Sequence, residues 1–358
     1  MTLILSNADV EQLLSMDDCL EALESAYVEL AHERGVSRTR SDSITPTTHS
    51  EDALYSLKSM DGVIPKLGVG AVRINSDILT WPKVGNNFRR VKVPAAPNKR
   101  YTGLVLLFSS ETGEPLAIMP DGIMQHIRVG AANGLGVKYL ARENASTIGI
   151  LGSGFQAETQ LSAACAVRNI KSIKCFSPTQ ENREKFSAQM SKTLGVPVTP
   201  VSQPEDTIND VDIIMCSSNT VDPIFFENWL RPGIHLSSIK RPEVEPAAIL
   251  KCDRVFVHTH DGKPTHVLTK DLQLPEDQEN KGWKIAGNID FGALPTLPQL
   301  IAGMHQGRQS DDEITCFLNN LGLGYQFAAA GSVVYKRAVE RGIGHNLPTD
   351  WFTEDVHP

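Results

Sequence analysis

The spacing of apolar residues changes period along this chain. Between 15 and 34 it is three to four residues, with Leu20, Leu23, Ala26, Tyr27 and Leu30 on one stripe. Ser15, Asp17 and Asp18 precede the stripe and Gly35 follows it, which predicts a capped helix. A short strand over 3–6 comes before it. The period then falls to two, and strands are predicted at 54–60 and 67–74. Residues 103–108 and 115–119 form a further pair, joined by a glycine-containing turn, which predicts a hairpin. The intervening stretch 80–100 is polar and rich in proline and asparagine, and reads as a loop. A helix over 121–141 follows, with Ile127, Ala131, Leu135 and Leu140 apolar.

Beyond 147, short apolar runs alternate with helical stretches. Strands are predicted near 147–151, 172–177, 197–201, 211–216, 234–239 and 254–259, with helices at 156–167, 180–194 and 245–251. Such alternation predicts an α/β fold built on a parallel, doubly wound sheet, whereas the earlier hairpins predict a mixed or antiparallel one. From about 310 a helical pattern returns, through Ile314, Phe317, Leu318 and Leu321 and then Val333, Val334 and Ala338. This last part is expected to pack back on the first.

Composition narrows the function classes. The 358 residues suffice for two domains, and a net charge of −8 argues against a nucleic-acid or anionic-membrane partner. No apolar run is long enough to cross a bilayer, and the start lacks the basic region and cleavage site of a signal peptide. The cysteines at 19, 165, 175, 216, 252 and 316 form no C-x-x-C pair, so reduced core thiols in a cytoplasmic protein are expected.

One stretch carries specific chemistry. Thr147-Ile-Gly-Ile-Leu-Gly-Ser-Gly-Phe-Gln-Ala157 runs from a buried strand through a G-x-G-x-x-A turn into a helix. Gly152 permits the turn, Gly154 lets backbone approach a pyrophosphate, and Ala157 lets helix and strand pack closely. The amides near Phe155 and Gln156 offer the positive end of a helix to that anion. The order strand, turn, helix, strand makes this a Rossmann-type dinucleotide site. Cofactor choice depends on the end of the second strand, where Asp or Glu commonly holds the ribose of NAD. No acid stands there; Ser177, Thr179 and Arg183 suit a 2′-phosphate, which favours NADP(H), while Glu181 keeps NAD(H) open. Ser217, just past the strand 211–216, joins the cofactor-binding set.

Four ordered blocks resemble the ornithine cyclodeaminase/mu-crystallin family. They are Gly152-Ser-Gly-Phe-Gln-Ala157, Gln125-His-Ile-Arg128-Val-Gly-Ala-Ala, Thr112-Gly-Glu-Pro-Leu-Ala117, and Gly307-Arg308 with Glu313-Ile-Thr-Cys-Phe317. The resemblance implies a split domain, 1–128 plus 310–358, that binds substrate and forms a homodimer, with a dinucleotide domain, 129–309, inserted. It also implies that Arg128 grips a substrate carboxylate, for which a guanidinium fork is suited. Arg40 resembles a second carboxylate-binding arginine, with Arg38 competing for that place.

The chain departs from the family pattern twice. The family's lysine falls at Gly70, with Arg73 able to reach the same space, and the family's aspartate is replaced in the neighbourhood of Lys240 and Arg241. Cyclodeamination needs a base and an acid, so the hydride half of the family's chemistry is what survives. The expected activity is a nicotinamide-dependent oxidoreductase acting on the C=N bond of an imino or amino acid. A cyclodeaminase and a non-catalytic NADP(H) binder like mu-crystallin are the alternatives. Lys240, at the carboxyl end of a predicted strand, and His126, two residues before Arg128, are the candidate proton donors. Lys83, Arg89, Arg90 and Lys92 in the 80–100 loop fit an anionic substrate and equally a solvated surface. His258 and His260 alternate on a strand, yet lack neighbours at ligand spacing, so no metal site is expected.

Overall fold

The structure, a computed structural model, describes residues 1–81, 83–84, 87–88, 91–220, 222–260, 264–274 and 289–355, with backbone alone at 83–84, 87–88 and 241. Its described strands form two main sheets and a small pair, Lys83–Val84 with Asn87–Phe88. Arg89 and Arg90 lie outside the described residues, as do the side chains of Lys83 and Arg241.

The first sheet has ten strands. Its path runs Thr265–Leu268, Ser41–Pro46, Leu54–Ile64, Val69–Thr80, Thr102–Ser109, Pro115–Pro120, Thr2–Ile4, His345–Leu347. The pairing is antiparallel except where Thr265–Leu268 joins Ser41–Pro46 and where Thr2–Ile4 joins Pro115–Pro120. Thr2–Ile4 and His345–Leu347 pair with each other, so distant parts of the chain close one edge. Part of the stretch read as a loop is strand: Val91–Val93 pairs with Val69–Thr80.

The second sheet has seven strands, all parallel. Its order is Val198–Pro200, Ser172–Phe176, Thr147–Leu151, Ile213–Cys216, His235–Ser238, Thr315–Leu318, Arg254–Val257. Strand order reverses beside Thr147–Leu151, which opens the crevice where doubly wound sheets hold ligands. The helical reading of 314–321 is corrected here. Thr315–Leu318 is a fully buried strand between two others, and short apolar runs buried on both faces carry no period that separates strand from helix. The stretch between Arg254–Val257 and Thr315–Leu318 in turn lends Thr265–Leu268 to the first sheet.

Three helices fill the space between the sheets. Gly324–Arg341 lies on Leu54–Ile64 and Val69–Thr80, Met16–Ala31 packs on it and on Gly122–Leu140, and Gly122–Leu140 packs on Phe155–Val167. Met16–Ala31 begins at a capping box in which Ser15 and Asp18 satisfy each other's amides. A second box, Ser6 with Asp9, starts the helix Asn7–Leu13, which the apolar pattern did not predict. The contact of Gly122–Leu140 with Phe155–Val167 needs small residues. A Cβ on Gly130 would lie 2.5 Å from the Thr159 carbonyl oxygen, and one on Gly134 would lie 2.7 Å from Ala163 Cβ.

Candidate active site

The site follows from the parity of two paired strands. Residues i and i+2 of a strand share a face. In Val69–Thr80 the inner face carries Val69, Ala71, Arg73, Asn75, Asp77 and Leu79, apolar at both ends and polar in the middle. In Leu54–Ile64 the inner face carries Leu54, Ser56, Lys58, Met60 and Ile64, while Leu57 points outward and is exposed. Register sets Lys58 opposite Asn75 and Met60 opposite Arg73. A polar floor is thus built inside a buried sheet face.

Over that floor is a cavity of about 370 Å³, lined by Arg40, Lys58, Arg73, Asn75, Lys92 and Arg128 among others. Among the described residues every charged group lining it is a cation. Arg73 is bound to Asp121 at 2.7 Å, Lys58 and Lys92 share Asp77 at 3.1 and 2.9 Å, and Arg40 makes a bidentate pair with Asp42 at 2.8 Å. Arg38, the competitor of Arg40, pairs with Asp61 and is largely exposed. Gly70 faces Val63 on the other side of the sheet, so a lysine there would not reach the cavity. The family lysine assigned to Gly70 is corrected on that ground. Arg73 stands in the wall, and the cavity's own buried lysine is Lys58 from the neighbouring strand.

Arg128 is as deeply buried as Lys58. Its Nη1 donates to Gln326 Oε1 at 2.8 Å and its Nη2 to Gln125 Oε1 at 2.6 Å. Phe327 lies beneath it, 5.1 Å from guanidinium to ring centroid. Burial, and then the charge of Arg73, bring its pKa down to about 9, which leaves it charged at neutral pH. Its Nε has no partner among the described residues.

The nucleotide turn has the geometry its sequence requires. Gly152 has φ +130°, and a Cβ there would run into the Ser217 carbonyl. Gly154 caps the helix Phe155–Val167, and a Cβ there would project into open space. The first amides of that helix have no intrahelical acceptors. Ser217 Oγ and Gln156 Oε1 are buried without partners among the described residues, and Ala157 is fully buried. These features fit a dinucleotide. Ser177 takes a bond from Ser153 Oγ at 2.9 Å and its carbonyl accepts from Arg183 at 3.1 Å, while Thr179 caps the helix Gln180–Leu194.

The two candidate proton donors part company. Two residues along a helix turn through about 200°. His126 therefore leaves the cavity to Arg128 and stacks on Phe155, with ring centroids 3.5 Å apart, while its Nε2 meets the Phe155 carbonyl. Burial holds its pKa below the usual histidine value. Lys240 follows the strand His235–Ser238, where burial lowers its pKa and Glu243 opposes that shift. Glu243 is fully buried and accepts from the amides of Ser218, Ile239 and Lys240, tying two loops at the carboxyl edge of the parallel sheet. The shared strand face expected for His258 and His260 is also corrected. The strand ends at Val257, with His258 buried against Tyr27 and His260 exposed and bonded to Leu294.

Sequence reasoning missed Lys58, Asn75, Asp77, Gln125 and Gln326. A signal for Asn75 and Asp77 existed: polar residues recur at every second position of Val69–Thr80 in phase with Ala71 and Leu79. Lys58 gave a contrary signal, because it sits next to the apolar but outward Leu57.

A parallel sheet with a glycine turn at its reversal point, joined through one helix to a buried cationic cavity, defines a dinucleotide-binding fold. The comparisons agree. The chain belongs to the Ornithine cyclodeaminase/mu-crystallin family, whose model matches residues 1–342. A Delta(1)-pyrroline-2-carboxylate reductase of Bacillus cereus is 29% identical over 351 residues, covering 96% of this chain and 99% of that protein. The Thermococcus litoralis Delta(1)-pyrroline-2-carboxylate reductase, solved with NADH and L-proline, superposes with a TM-score of 0.77 at 27% identity, covering 96% of this chain and 100% of that one. An archaeal alanine dehydrogenase dimer with bound NAD gives 0.76 at 26% identity, covering 97% and 99%.

Two buried histidines set a pH limit on this architecture. Burial first, and then the charges of Arg308 and Arg168, hold His235 down to about 3. Burial first holds His258 down to about 4. Both folded values lie below the unfolded value near 6.5, so the unfolded chain binds more protons in between. Stability is then full above about pH 6.5 and falls toward pH 4, by roughly 1.4 kcal/mol per pH unit for each histidine. Denaturant unfolding across pH 4.5–7.5 checks this, and a midpoint constant over that range would contradict it.

Proposed function

We propose that this chain is a nicotinamide-dependent oxidoreductase acting on the C=N bond of an imino acid. One observation carries the reading: a single helix, Gly122–Leu140, is a wall of both sites. Its Arg128 and Gln125 line the cationic cavity, while its Gly130 and His126 pack on the helix that begins at the glycine turn. In this reading Arg128 and Arg73, with Arg40, hold the substrate carboxylate. The bound nicotinamide supplies the hydride for the imine carbon. Arginine cannot serve as a tunable acid, so the proton for nitrogen comes from a lysine: Lys240 at the carboxyl edge of the parallel sheet is the one we assign, and Lys58, which lines the cavity, is its competitor. No carboxylate lines the cavity among the described residues, which favours imine reduction over the base-requiring cyclodeamination.

NADP(H) is the cofactor we assign, on the absence of an acid after Phe176 and the presence of Arg183 beside Ser177. The main-chain amides at 153–156 would hold the pyrophosphate and Ser217 would sit beside it. The domain division, 1–128 plus 310–358 around 129–309, belongs to the same reading, with Thr315–Leu318 counted in the nucleotide sheet. A homodimer would cover the outer face of the first sheet, where Val36, Leu57, Val63 and Leu104 are exposed. Six free thiols suit a reducing, cytoplasmic compartment.

The first test follows NADPH and NADH oxidation with Δ1-pyrroline-2-carboxylate and with 2-oxo acids paired with ammonia or methylamine. Arg128→Ala should raise KM for the carboxylate substrate roughly 10- to 100-fold, the loss of one or two charge-assisted hydrogen bonds. Unchanged kinetics would remove Arg128 from the site. Ammonia release from ornithine without net dinucleotide turnover would make the chain a cyclodeaminase, and tight NADPH binding without any turnover would make it a binder.

Arg183→Ala should weaken NADPH binding by about tenfold or more while leaving NADH within twofold. Equal loss for both would refute the 2′-phosphate assignment. For the dimer, Leu57→Asp together with Leu104→Glu should give a monomer by light scattering; an unaltered oligomer would place the interface elsewhere.

A further inference from the structure

Behind Arg128 lies a line of buried polar groups contributed by elements far apart in sequence. Gln326 comes from the helix Gly324–Arg341, Tyr27 from Met16–Ala31, and His258 follows the strand Arg254–Val257 of the parallel sheet. Gln326 and His258 are fully buried, as is Tyr27. Gln326 Nε2 donates to Tyr27 Oη at 3.0 Å, Tyr27 Oη and His258 Nε2 are 2.6 Å apart, and His258 Nδ1 meets the Leu321 carbonyl.

The direction of every bond in this line is fixed. A guanidinium only donates, so the Gln326 atom facing Arg128 is the amide oxygen; the Leu323 amide donates to the same atom at 3.0 Å. The Gln326 nitrogen must then donate to the Tyr27 oxygen. Tyr27 therefore gives its own proton to His258 Nε2, and His258 carries its hydrogen on Nδ1 and gives it to Leu321, whose carbonyl can only accept. The far end returns to the site, because Leu321 and Gly322 line the cavity and a Cβ on Gly322 would run into the Arg128 guanidinium.

We propose that Tyr27 and His258 are positioning residues for substrate binding. Acting through Gln326 on one side and through the Leu321–Gly322 turn on the other, they fix the direction in which Arg128 presents its guanidinium. The claim rests on the reading that Arg128 holds a carboxylate. It extends that reading to residues that touch neither substrate nor nucleotide. It also assigns a function to the histidine that the strand pattern set aside as no metal ligand.

Selective 15N labelling of histidine and arginine in the full-length protein tests it. His258 should be the Nδ1–H tautomer, with a bare Nε2 that does not titrate between pH 5.5 and 8. Tyr27→Phe removes one oxygen and interrupts the line. The Arg128 side-chain signals should then broaden, and KM for Δ1-pyrroline-2-carboxylate should rise about tenfold, with kcat and NADPH affinity within about twofold. Gln326→Glu keeps an acceptor for Arg128 but demands the Tyr27 proton; His258, which must keep its Nδ1–H for Leu321, should then carry a proton on Nε2 as well, and its 15N signals should show both nitrogens protonated. An Nε2–H tautomer in the wild type, or unaltered Arg128 signals in Tyr27→Phe, overturns the proposal. If no imine is reduced by any form, the assigned activity fails by itself and the Arg128 signals still decide the positioning claim.

Discussion

Everything in the site depends on the burial of charge in the middle of a β-sheet face. Burying an unpaired charge is expensive, and such groups persist only when paired and hydrogen-bonded. The first sheet meets that demand with Asp77 under Lys58 and Lys92, Asp121 under Arg73, and Asp42 under Arg40. Each acid lies behind its cation and, among the described residues, none lines the cavity, so the charges on that lining are positive. Walls of low polarizability strengthen the field of such a lining. The same pairing holds long side chains in one conformation, so less ordering is required when a ligand arrives.

The helix Gly122–Leu140 transmits this arrangement to the nucleotide crevice. Its face toward Phe155–Val167 is small, with Gly130 against Thr159 and Gly134 against Ala163, so the two helix backbones lie close together. Arg128 rises from the opposite side of the same helix into the cavity. A rigid element of this kind holds two ligands in fixed relation, which is what a transfer between them requires. The buried line through Gln326, Tyr27 and His258 adds a second tie between the sheets, at the level of Arg128 itself.

The chain path explains why neither half stands alone. The parallel sheet takes its sixth strand in space, Thr315–Leu318, from beyond the segment that supplies the others, and the mixed sheet takes Thr265–Leu268 from within that segment. Phe256, Leu297 and Phe317 pack in the same apolar cluster as Leu107 and Phe327. Membership of the Ornithine cyclodeaminase/mu-crystallin family over residues 1–342 covers both sheets and the helices between them.

The sequence by itself determined whatever is set by neighbours in the chain. The period of the apolar residues gave the helices read over 15–34, 121–141 and 180–194, the hairpin 103–119 and the parallel strands through 259. The G-x-G-x-x-A turn gave the nucleotide crevice, because only glycine tolerates the backbone at Gly152. Arg128 was legible because it stands among alanines and glycines, where an arginine has no surface to cover. Tertiary structure alone decided the rest. Leu57 and Lys58 are adjacent on one strand, and which of them is buried depends on what packs against that sheet. Thr315–Leu318 is a strand because it pairs with two others, and Tyr27, His258 and Gln326 meet only when two helices and a strand converge. Local period is written in residues a few places apart, whereas burial and partnership are set by groups hundreds of positions away.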